Sequence, residues 1–74
     1  MKLKQTDKVV NETYFYEYEY KTGKKKRIDI IFKDGAFNCV HFTFVHPYTR
    51  EQWEILHEIR QEICRIESTL KEGE

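Results

Sequence analysis

Between Thr13 and Tyr20 tyrosine returns at every second position, as Tyr14, Tyr16, Tyr18 and Tyr20, with Thr13, Phe15, Glu17 and Glu19 between them. Successive side chains of a β-strand point to opposite sides, so this spacing gathers four phenol rings on one face and mostly polar groups on the other. An α-helix, at about 3.6 residues per turn, would scatter the same rings around its circumference. Residues 9–20 therefore read as a strand, and a strand needs neighbours.

The neighbours follow at once. Lys21–Lys24 reads as a turn, Arg27–Lys33 as a second strand, Asp34–Gly35 as a second turn and Phe37–Val45 as a third strand. Residues 1–8 are polar and form either a short edge strand or a loose arm. Loop length decides which side chains meet. With three-residue loops, Lys21–Gly23 and Lys33–Gly35, a glycine takes the left-handed position of each. Tyr18 then lies opposite Lys26, Tyr16 opposite Ile28 and Tyr14 opposite Ile30; on the reverse side Glu19 meets Lys25 and Glu17 meets Arg27. The second loop sets Ile28 opposite Val40. The expected core face holds Tyr14, Tyr16, Ile28, Ile30, Phe32, Val40, Phe42 and Phe44. Two-residue turns would set Tyr16 against Asp29 and Glu17 against Ile28, so the three-residue loops are preferred.

Thr49-Arg50-Glu51-Gln52 is a capping box, in which the Thr49 hydroxyl accepts from the Gln52 backbone and the Gln52 side chain reaches back. Tyr48 and Trp53 stand at the spacing of a hydrophobic staple, and Pro47 keeps His46 extended. Trp53, Leu56, Ile59, Ile63, Ile66 and Leu70 then recur at helical steps, giving a helix over 49–71 that stops before Gly73. Its length, on the order of 30 Å, is enough to cover one face of the sheet. The fold class is α+β: a three-stranded antiparallel β-meander, four-stranded if residues 1–8 pair, packed by one long C-terminal helix. No linker or repeat divides it, so 1–74 is one domain, with the meander at 9–46. Five Phe, five Tyr and Trp53 supply the bulk that so short a chain needs for a core.

Charge excludes some roles. The 13 basic and 13 acidic residues balance, which argues against binding nucleic acid by bulk charge. The balance conceals a mild polarity: residues 1–48 hold nine Lys/Arg against six Asp/Glu, whereas 49–74 hold four against seven. Two cysteines, Cys39 and Cys64, make no disulfide framework, and neither a leader nor a membrane-length apolar run is evident, so a cytoplasmic protein with reduced thiols is expected. Cys39, His41, His46 and His57 lack paired-ligand spacing, so no metal or other cofactor is expected. No nucleophile turn, oxyanion site or phosphate-cradling loop stands out, so catalysis and a small-molecule substrate are not expected either.

Two surfaces remain. Lys24, Lys25, Lys26 and Arg27 beside Tyr18 and Tyr20 suit single-stranded nucleic acid, whose phosphates need cations and whose bases need flat rings; the same cations could merely keep a hairpin soluble. The sheet face away from the helix carries Phe15, Ile31, Phe37, Cys39, His41 and Val45, for which the chain offers no cover, so a protein partner or a second copy is expected there; Ile55 and Cys64, off the main helical stripe, could also meet that copy.

The segment Thr49-Arg-Glu-Gln-Trp53-Glu-Ile-Leu56, followed by Ile59, Ile63 and Ile66, resembles the closing helix of the positive-cofactor-four type of transcriptional coactivator. That resemblance implies a curved antiparallel sheet, a helix that helps form a homodimer, and single-stranded DNA lying on β-ribbons, with Tyr18, Tyr20, Lys24, Lys26 and Arg27 as the analogous contacts. Two roles are thus expected of a non-catalytic module: binding single-stranded nucleic acid through the basic, tyrosine-rich hairpin, or binding protein through the second sheet face, as a phage- or mobile-element-type inhibitor or accessory factor would.

Overall fold

The computed structural model describes residues 3–42 and 47–72. Four strands, β1 (Leu3–Gln5), β2 (Thr13–Glu19), β3 (Lys25–Lys33) and β4 (Ala36–His41), precede one helix, α1 (Arg50–Glu72). They form a single antiparallel sheet in the order β1-β2-β3-β4, an α+β meander closed by its C-terminal helix. Residues 3–5 are thus an edge strand and not a loose arm. The expected extension of the last strand to Val45 falls on residues 43–46, outside the described residues, as do Phe44 and His46.

The first hairpin has the register that a three-residue loop requires. Tyr18 pairs with Lys26, Tyr16 with Ile28, Tyr14 with Ile30, Glu17 with Arg27 and Glu19 with Lys25. Gly23 closes the loop with φ +92°, a conformation that a side chain would strain; its N–H donates to the Tyr20 carbonyl (2.9 Å), while the Tyr20 N–H donates to Lys24 (2.7 Å).

The second hairpin departs from expectation. Lys33 pairs with Ala36, so the loop is the two residues Asp34–Gly35, with φ +53° and +80°. Both central residues in the left-handed region give a tight turn whose twist suits the strands. Ile30, not Ile28, faces Val40, because a register shift between Ile31 and Phe32 leaves Asn38 as the extra residue of a β-bulge. The two changes compensate. A two-residue turn alone would have turned Val40 outward; the bulge restores its side, and Val40 and Phe42 pack against the core as expected. Phe37 does not keep its expected face. It sits opposite Phe32 on the helix side, the two rings 5.9 Å apart and edge-on.

The core joins Tyr16, Tyr18, Ile28, Ile30 and Phe32 to Leu3 and to Ile55, Ile59 and Ile66 of α1, with Tyr14, Tyr20, Ile63 and Leu70 at its margins. The capping box forms, with Gln52 N–H to Thr49 Oγ1 at 3.2 Å and Thr49 N–H to Gln52 Oε1 at 2.9 Å. The Tyr48 and Trp53 rings meet 5.2 Å apart. The buried stripe, however, is Ile55, Ile59, Glu62 and Ile66, rotated from the expected one. Trp53 is 59% exposed, and Ile55, expected at an interface, is fully buried. The reason is chemical: Glu62 occupies a central position of the true stripe, so ranking helix positions by hydrophobicity alone shifts the stripe toward Trp53 and Ile63.

Acidic side chains also dock the helix. The Glu51 carboxylate accepts from the Lys21 N–H (2.9 Å), Glu58 from the Leu3 N–H (3.1 Å) and Glu62 from the Tyr16 hydroxyl (2.7 Å). Glu51 and Glu58 flank the isoleucine stripe and Glu62 lies within it, and together they tie α1 to the first hairpin and the β1 edge.

Candidate interaction surface

The pleat of β3 divides the basic tract. Lys26 lies opposite Tyr18 on the helix side, whereas Lys25 and Arg27 lie opposite Glu19 and Glu17 on the other. Lys24, in the loop flank, is exposed. Of the two tyrosines expected to stack bases, Tyr18 is 0% exposed and Tyr20 is half-buried at the core margin, with its ring 5.6 Å from that of Tyr18. Burial explains the correction, since a ring under α1 has no free face for a base. Tyr18 is therefore removed from the nucleic-acid site. The two cations of the tract on the open side are already engaged. Lys25 Nζ approaches Glu17 Oε1 at 3.7 Å, and Arg27 Nε donates to Asp29 Oδ1 at 3.1 Å. The Arg27 guanidinium also lies 5.2 Å from the centre of the Phe15 ring, within cation–π range.

That open side is a surface in its own right. Phe15 pairs with Asp29, Ile31 with Thr13 and with Cys39, and His41 with Asp29. Phe15 and Ile31 are therefore diagonal neighbours and Ile31 and Cys39 direct ones, a continuous row in which all three are half-buried and His41 is exposed. Around the row lie Lys4, Lys25, Arg27 and Lys33 together with Glu17, Glu19 and Asp29, both signs interleaved. Of the residues expected at an interface, Phe15, Ile31 and His41 share this face. Phe37 lies on the helix side at the β4 margin, 39% exposed. Ile55 lies in the core, and Val45 lies outside the described residues.

The sequence reading missed one buried polar cluster. Glu62 is 7% exposed; its Oε1 accepts from the Tyr16 hydroxyl and from the Arg65 guanidinium (Nη2 at 2.6 Å, Nε at 3.0 Å). Burial, and then the carboxylate beside it, pushes the Tyr16 phenol up to about 12. The Arg65 hydrogen bond holds the Glu62 carboxyl below its ordinary range against the opposing effect of burial. The signal was available in the spacing of Glu62 with Ile55, Ile59 and Ile66, an acid on the apolar line of a helix. Tyr18, two residues along β2, has no such partner. Its hydroxyl is buried without a hydrogen bond, and burial raises its pKa as well.

The concavities beside α1 are shallow and open, one lined by His57, Arg60, Gln61, Glu62, Cys64 and Arg65 and another around Trp53. Cys39 and Cys64 are free thiols, and Cys64 is exposed rather than packed. Among the described residues no three His, Cys, Asp or Glu side chains gather to hold a metal ion, and no helix is long and apolar enough to cross a membrane.

The fold and this surface define a class, a small meander-plus-helix domain with one sheet face covered by α1 and the other left open by the described residues. No family model matches the chain, and comparison with curated proteins and with solved structures finds no match.

Proposed function

We propose that the chain is a non-catalytic binding module that takes a protein partner on the open face of its sheet. The observation that carries this reading is the half-buried row Phe15, Ile31 and Cys39, set among charges of both signs on a sheet face over which the described residues lay no second layer. Apolar surface rimmed by mixed charge is the ordinary make-up of a protein interface. A phosphate backbone laid across the same strands would meet Glu17, Glu19 and Asp29 as well as the cations. The partner is accordingly a protein presenting apolar side chains ringed by both signs of charge, and a 74-residue domain suits an accessory or inhibitory role toward it.

A second reading, single-stranded nucleic acid on the hairpin, is favoured by the exposed Lys21, Lys24, Lys25 and Arg27 at one end of the sheet. One experiment separates the two. A photo-crosslinking residue is placed at position 31 on the open face or at position 61 on the outside of α1. A protein adduct of discrete mass from position 31, absent from position 61 and lost on Arg27→Glu, is expected. Oligothymidylate binding that falls steeply with salt, with adducts to nucleic acid and none to protein, would replace the first reading by the second.

A further inference from the structure

The two edges of the sheet are unlike. β1 is three residues long with Lys4 at its centre, two devices by which natural edge strands avoid pairing with other chains. β4 is six residues long, and from Ala36 to Phe42 it carries no Lys, Arg, Asp or Glu, although charged residues make up 35% of the chain. No strand lies beyond it among the described residues.

Ladder alternation identifies the backbone groups that this edge presents. The Tyr20 N–H donates to the Lys24 carbonyl and the Phe32 N–H to Glu12, so the even-numbered residues of the β3 arm turn their polar groups toward β2. Asp29 and Ile31 turn theirs toward β4, where His41 and Cys39 are their partners. Val40, between those two, points its N–H and C=O away from the sheet. The bulge at Asn38 lies toward the turn and leaves this part of the edge regular.

We propose that β4 pairs antiparallel with β4 of a second copy of this chain, about a two-fold axis close to Val40, joining the two sheets into one. The absence of charge points to a copy and not to a foreign strand. On the axis Val40 would face its own counterpart, while Cys39 and His41 would face each other's and lie diagonal to their own, within about 8 Å, so a charge at any of these positions would meet the same charge, whereas a foreign strand imposes no such condition. The side chains agree with self-pairing. Half-buried Val40 would meet its copy on the helix side and extend the core; Cys39 and His41 would pair with each other's copies and continue the open face across the axis. This pairing stands whichever partner the open face takes.

The chain can be assembled by joining 1–38 to 39–74 at Cys39, with or without a methyl on the Val40 amide nitrogen, which removes the outward donor and keeps the side chain. Sedimentation equilibrium over a concentration series should show the unmodified 9.1 kDa chain doubling in mass. The methylated chain should dissociate roughly 30-fold more readily, as expected for losing two symmetry-related hydrogen bonds, with an unchanged circular dichroism spectrum. His41→Lys, at an exposed position, should also weaken the dimer and should recover with added salt, since it sets like charges across the axis. A chain that stays monomeric at about 1 mM, or a dimer indifferent to both changes, overturns the proposal.

Discussion

The same strands serve both faces of the sheet, yet the faces follow different rules. On the covered side Tyr16, Tyr18, Ile28 and Ile30 are almost wholly withdrawn from water; on the open side their immediate neighbours Phe15, Glu17, Arg27 and Ile31 are not. Polarity alone does not sort them, since two tyrosines are buried and a phenylalanine is left half-exposed. What sorts them is register: once the first loop fixes Tyr16 against Ile28, every second residue goes under the helix whatever its chemistry. The covered face is therefore organised by packing and the open face by surface charge and partial exposure.

Adjacent isoleucines give the largest contrast. Ile30→Ala, in the core, should lower the unfolding free energy by about 2–5 kcal/mol, whereas Ile31→Ala on the open face should cost less than about 1 kcal/mol. Denaturant titration of the two variants checks this, and equal losses would abolish the distinction between the faces.

Next in size is the buried carboxylate. Glu62→Ala strands the Tyr16 hydroxyl beneath the helix and frees Arg65, and a loss of roughly 2–4 kcal/mol is expected. The pH dependence has a definite sign on each side. Because the Glu62 carboxyl is held below its ordinary value, its contribution is complete above the carboxylate range and is lost as pH falls through it. Because the Tyr16 phenol is raised from 10.0 to about 12, unfolding releases a proton between those values, so stability falls as pH rises across that window. Tyr18 is raised in the same direction. Tyr16→Phe should thus flatten only part of the alkaline limb, as read from denaturation midpoints between pH 9 and about 12.

Where sequence sufficed and where it failed follows the same division. The first hairpin was legible because three signals agreed: the tyrosine period, a glycine at the loop's third position, and opposite charges on the reverse face. The helix start was legible because its cap is local. The helix's buried line was not, because the acid at its centre is justified only by Tyr16 and Arg65, one of them on a distant strand. The second hairpin was misread in detail because a two-residue turn and a bulge cancel in their effect on Val40, leaving no trace in the hydrophobic pattern. Alternation shows that four tyrosines share a face, not which of them α1 covers, so the sequence alone leaves Tyr18 free to be a surface ring. The surface sites suffered accordingly: the basic tract is contiguous in sequence and split in space.

Tyr18 offers a smaller and opposite effect. Its hydroxyl is buried with no hydrogen-bond partner, so the native state carries a desolvated polar group that the unfolded chain hydrates. Tyr18→Phe removes that group and keeps the ring, and the protein should gain about 1 kcal/mol. A base-stacking role would predict instead that phenylalanine leaves stability unchanged while altering oligonucleotide binding. The same substitution at Tyr16 should destabilise, and thermal melts of the pair set the two tyrosines side by side.

The smallest expected effect concerns how β4 chooses its faces. Cys39 pairs with Ile31 and Phe37 with Phe32, leaving Asn38, an exposed residue, between them without an opposite number. Removing Asn38 makes the ladder continuous while Phe37, Cys39 and Val40 keep their partners and sides. Deletion of one residue from a strand ordinarily flips everything beyond it, but here it takes out the residue that the register already skips. The shortened chain should therefore unfold within about 1 kcal/mol of the parent, with nuclear Overhauser contacts from Val40 to Ile30 retained. Deletion of Asn38 and Cys39 together should be far worse, because Val40 would then fall opposite Ile31 on the open side. If the two deletions cost the same, the bulge is not what sets the phase of this strand, and the placement of Phe37 beside Phe32 needs another cause.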